Sequence, residues 1–195
     1  STRIRCLKSL VINKNDDTLY GISQGRDSLH EMYPQFYTKE EGDALAPDEL
    51  IKIDRNTNFG YPYCYMDPET GRRKLMPEYG GDGKIEAQCN SLSKSLAVFT
   101  HHGGPNDLMV MDNMFYVAWN GKPLPLVCDE SCNDLTVATF QVDDDYAFLQ
   151  NYQTLITFHK KADTRPAGLV QMTDSQDVLV SDSVHGKLWK ISKSF

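Results

Sequence analysis

Turn-forming residues interrupt this chain about every ten positions, and no stretch between them holds apolar residues at the three-and-four spacing of an amphipathic helix. The apolar residues fall in short runs or alternate with polar ones. They are rich in Val, Leu, Ile, Thr and aromatics, which suit a pleated, half-buried surface. Candidate strands are LKSLVI, TLYGIS, ELIKI, LAVFT, DLMVM, MFYVAW, LTVATFQV, TLITF, GLVQM, DVLVSD and KLWKI. A chain with this pattern is expected to be all-β.

The strands also recur in an order. LKSLVINKNDDTLYGIS followed by DELIKI, PNDLMVMDNMFYVAW followed by LTVATFQV, and PAGLVQMTDSQDVLVSDSVHGKLWKI each read as strand, polar turn, strand, connection, strand. Units of this kind repeating at roughly 40 to 60 residues suggest the blades of a β-propeller. The expected divisions are residues 1–92, 93–158 and 159–195 of one partial propeller domain, with insertions at 26–47 and 62–92. Three blades do not close a ring, so strand edges and apolar faces are expected to need cover from elsewhere.

Charge and cysteine usage narrow the setting. Lys and Arg number 20 against 27 Asp and Glu, for a net charge of −7 in 195 residues. With no basic patch to displace counterions, nucleic acid and anionic membranes are not expected partners. The apolar runs are far shorter than the ~20 residues of a membrane-spanning helix. STRIRCLKSL at the N-terminus carries no apolar core or cleavage site of a leader, so the chain is expected to be a mature product or a fragment. Five cysteines suit a loop-rich secreted domain with two local bridges, Cys64 to Cys89 and Cys128 to Cys132, which leaves Cys6 for a partner. A zinc site joining Cys128 and Cys132 to His101 and His102 has tolerable spacing but the wrong surroundings.

Five motifs in order carry a family resemblance: QGRDSL with APDELIKIDRNTNFGYPYCYMD, LMPEYGGDG followed by Cys89, FTHHGGPNDLMV, FYVAWNGKP, and RPAGLVQMTDSQDVLVSDSVHGKLWKI. Together they resemble the glucose/sorbosone dehydrogenase family of quinoproteins over nearly the whole chain. The resemblance implies a six-bladed β-propeller binding pyrroloquinoline quinone (PQQ) and calcium, of which this chain is the C-terminal half, with about three blades.

It also implies residue roles. Arg5 falls at an arginine that lies against the quinone, and Cys6 replaces the neighbouring asparagine, a poor hydrogen-bonding exchange. Gly25 and Arg26 fall where backbone carbonyls hold the calcium, with Asp27, Asp48 and Glu49 as nearby negative charge. The histidine that serves as general base belongs to the other half of the family's ring, so no catalytic residue is assigned here. The expectation is an extracellular module, inactive as this chain and acting in assembly or binding, with a sugar as a possible ligand. Its ring would be completed by other chains or a missing N-terminal half, with Cys6 as a possible link. The alternative is half of an active sugar or aldehyde dehydrogenase.

Other residues are better read as structural. His101 and His102 precede a Gly-Gly-Pro turn, Asp143 to Asp145 lack the spacing of a calcium loop, and Lys122 suits a hairpin tip. Arg165 fits a channel position or a salt bridge equally. Phe59, Tyr61, Tyr63 and Tyr65 are expected mainly to pack the insertion against its sheet, with sugar or quinone stacking as the other use of their rings.

Overall fold

A computed structural model describes residues 2–45, 47–68, 70–80, 88–99, 103–120, 135–142, 153–158, 164–173 and 175–192. Within these the chain is all-β, with few and short helices. The first antiparallel sheet joins β1 (Cys6–Asn13), β2 (Thr18–Gln24), β3 (Asp48–Lys52) and β6 (Ala97–Phe99) in that spatial order. The second runs β7 (Pro105–Met111), β8 (Met114–Trp119), β9 (Leu135–Phe140), β10 (Gln153–Phe158), and the third β11 (Pro166–Gln171), β12 (Val178–Asp182), β13 (Lys187–Ile191). Each opens with a strand that forms one edge, and β7 packs against both β1 and β11.

The middle sheet explains why MFYVAW is apolar without alternation. Phe115, Val117 and Trp119 pack with Ile22, Leu50 and Phe99 of the first sheet, while Tyr116 and Ala118 pack with Val178 and Val180 of the third. Successive side chains point to opposite faces, so a strand covered on both sides must be apolar at every position. Phe99 closes against Trp119 and Phe140 with ring centroids 4.6 and 5.4 Å apart, both edge to face. The β7–β8 hairpin turns on Asp112 and Asn113 alone, with φ of 52° and 61°, a left-handed pair that Asp and Asn tolerate better than other side chains do.

The three opening strands share an irregularity. Pairing slips between Leu7 and Ser9 in β1, between Pro105 and Asp107 in β7, and between Pro166 and Gly168 in β11. A bulge at this place re-aims the residue that follows it. In β7 that residue is Asp107, whose Oδ1 accepts from Ser9 Oγ at 2.6 Å and from Leu108 N at 2.9 Å, and whose Oδ2 accepts from Leu169 N at 2.7 Å. One carboxylate thus ties all three sheets. A methyl at Gly168 would lie in ordinary contact with Asp107 Oδ2 at 3.8 Å but only 3.0 Å from Ser181 Oγ, so it is the paired strand β12 that crowds this position.

The insertions fold more than their turn-rich sequences suggest. Residues 26–47 hold two short helices, α1 (Leu29–Met32) and α2 (Lys39–Ala44), the second with a Thr38–Glu41 capping box. In place of a plain loop, residues 62–92 contain a hairpin of β4 (Cys64–Asp67) and β5 (Arg72–Leu75), then a 3-10 turn at Pro77–Tyr79. The expected Cys64–Cys89 disulfide is formed, and Cys6 is the free thiol among the described residues. Cys128, Cys132, His101, His102, Lys122 and Asp143 to Asp145 lie outside those residues.

Replacing Asp107 by Ala is expected to lower stability by about 2–4 kcal/mol, because it leaves Leu169 N without its acceptor and removes a charge-assisted bond to Ser9. Urea unfolding monitored by tryptophan fluorescence measures this, and an unchanged midpoint would show that the sheets cohere without the carboxylate.

Candidate functional site

The stretch linking β2 to α1 carries the residues that the family resemblance singles out. Gly25 leaves the end of β2 and is held through both of the peptide groups that flank it. Its N–H donates to Asp48 Oδ1 at 2.8 Å, and its carbonyl accepts from Arg5 Nη1. Arg5 also stands 3.8 Å from Asp27, whose Oδ2 accepts from Gln24 Nε2 at 3.3 Å. The structure therefore brings Arg5 to Gly25.

Arg26 points elsewhere. Its side chain is buried, with the guanidinium on Glu78 Oε1 and 5.7 Å from the centre of the Tyr33 ring, while Tyr37 Oη donates to Glu78 Oε2. Burial opposes the Arg26 charge, but the hydrogen bond and negative charge of Glu78 outweigh it and hold the pKa above its ordinary value. Burial and the same Glu78 raise the pKa of Tyr37, which stays a neutral donor. Leu29, Tyr37, Tyr65 and Met76 form a small core around this knot.

Asp48 and Glu49, adjacent in β3, face opposite ways and do different work. Asp48 is fully buried and accepts from Gly25 N and, at 3.2 Å, Gly104 N. Burial pushes its carboxyl up to about 7, against the lowering by those N–H groups. Glu49 pairs with buried Arg73 at 2.6 Å, and Arg73 also donates to Ser93 O and Ser95 Oγ and lies 5.4 Å from the Phe59 ring. Glu78, Tyr37 and Arg73 were not singled out in the sequence; as isolated polar residues within turn-rich insertions they carry no periodic signal.

Between the two ion pairs lies a cleft of about 40 Å³ lined by Arg3, Arg5, Gly25, Glu49, Tyr61 and Arg73 among others. Sites for drug-sized ligands run to ~300–1,000 Å³, so this cleft alone is too small for a tricyclic quinone. Of the oxygens near this loop, several are already engaged. Calcium needs six to eight oxygens, whereas the Gly25 carbonyl, Glu49 and Glu78 are each bonded to a guanidinium. Among the described residues no group of three or more His, Cys, Asp or Glu is placed to hold a metal ion. The aromatic stretch divides: Phe59 and Tyr65 are buried, while Tyr61 and Tyr63 are exposed and Arg3 sits 5.7 Å from the Tyr63 ring centre.

A second carboxylate shapes the β12–β13 end of the third sheet. Asp182 is buried and accepts from Arg165 N and Val184 N at 3.1 and 3.0 Å, with His185 Nδ1 at 2.8 Å. Burial acts to raise its pKa, but these contacts prevail and bring it down to about 2.

No protein-family model matches the sequence, and no curated protein matches it. Solved structures do match the fold. One, described as a crystal structure of glucose dehydrogenase, is 12% identical with a TM-score of 0.61, the match covering 97% of this chain and 45% of that one. A second glucose dehydrogenase is also 12% identical, with a TM-score of 0.59 over 97% of this chain and 44% of its own. The chain thus shares a fold with these proteins and spans less than half their length.

Because the Asp48 pKa is raised by folding, the native state holds this proton after the unfolded chain has released it, and stability falls as pH rises from about 4 to about 7. The urea midpoint of Asp48→Asn is expected to decline less over this range than that of the unchanged chain. Glu78→Ala, which strands the buried Arg26 charge, is expected to cost about 3–5 kcal/mol, whereas the double variant Arg26→Met/Glu78→Leu costs far less; thermal or urea unfolding of the pair decides.

Proposed function

We propose that this chain is half of a propeller-like ring of the glucose/sorbosone dehydrogenase type, its three sheets serving as blades, and that it acts as an extracellular binding or assembly module without oxidising sugar. The observation carrying this reading is the occupation of the cofactor-side loop by the protein's own cations. In the proposal Arg5 and the backbone of Gly25 and Arg26 are remnants of a quinone and calcium site, in which the Arg5 guanidinium now takes the Gly25 carbonyl. The fold likeness to two glucose dehydrogenases supports the scaffold. A disulfide at Cys64–Cys89 and the lack, among described residues, of a helix long and apolar enough to cross a membrane are compatible with an extracellular setting.

The module's ligand side is the exposed pair Tyr61 and Tyr63 beside Arg3, whose rings offer apolar faces to a sugar. Completion of the ring falls to a further polypeptide, with Cys6, half-buried at the start of β1, available as a covalent link. Likeness over 97% of the chain favours a second reading, the C-terminal half of an active quinoprotein dehydrogenase, with the general base supplied by the other half.

The test is direct. The chain is incubated with PQQ and calcium, then offered D-glucose or other aldoses and an artificial electron acceptor. No sugar-dependent reduction above buffer is expected, and calorimetric titration with calcium in the presence of the quinone is expected to give no binding heat. Stoichiometric calcium binding would replace this reading with the second, whereas turnover by this chain alone would overturn both, since neither gives it the general base.

A further inference from the structure

We draw no further inference here: the strongest candidate, the surface patch that Tyr61, Tyr63 and Tyr79 form beside Arg3, belongs to the ligand side already described, and nothing in the structure shows what covers it.

Discussion

The three sheets meet at a single carboxylate. Asp107 stands where a bulge in β7 turns it toward its neighbours, and from there it accepts a hydroxyl from the first sheet and a backbone N–H from the third. Apolar packing between the sheets is non-directional and would tolerate sliding. The carboxylate supplies direction, because its hydrogen bonds to Ser9 and Leu169 N are made to particular positions of β1 and β11. Asn106 Nδ2 adds a second tie, donating to Pro166 O at 2.7 Å. Asn113 Oδ1 adds a third at the opposite end of the strands, where it accepts from Asn13 and Asn15. Polar groups thus set the register of an assembly whose cohesion is apolar.

Away from that meeting point the charges are arranged so that no guanidinium enters the interior without its acid. Arg26 has Glu78 and Arg73 has Glu49, and each cation also lies over an aromatic ring, Tyr33 and Phe59 respectively. Such pairs add little net stability over apolar residues of the same volume, yet breaking one leaves an uncompensated buried charge. They make the insertions specific in shape. The loop from Gly25 to Ser28 is held by the Gly25 backbone to Asp48 and Arg5 and by its side chain at Arg26.

Much of the fold was legible in the sequence because strands covered on one or both faces carry runs of apolar side chains. MFYVAW and DLMVM were legible as strands, though not as strands covered on both faces, the bridge between Cys64 and Cys89 followed from cysteine spacing in a glycine-rich insertion, and the threefold order of strands matches three of the antiparallel sheets. The hairpin CYMD and RRKL was not legible, since its strands are four residues long and half polar. Its burial comes from the insertion's own small core, built by residues distant in sequence such as Leu29 and Tyr37. The short helices escaped for the same reason, being too brief to show a period. At the site, the resemblance singled out Arg5, Gly25 and Arg26 but not the hydrogen bond from Arg5 to the Gly25 carbonyl. The diversion of Arg26 to Glu78 was not legible either, because it depends on where a residue 52 positions away is brought by the folded chain.

The last strand carries a different kind of information. β13 forms the outer edge of a sheet that has three strands among the described residues, and it presents Lys187 and Lys190 to solvent beside apolar Leu188 and Trp189. Lys190 is held by Asp177 at 2.8 Å. An open edge with this apolar content would template fibrillar growth if its neighbours were neutral, and lysines on such an edge make the approach of a like strand electrostatically costly. The charged rim of the third sheet therefore turns away indiscriminate strand exchange.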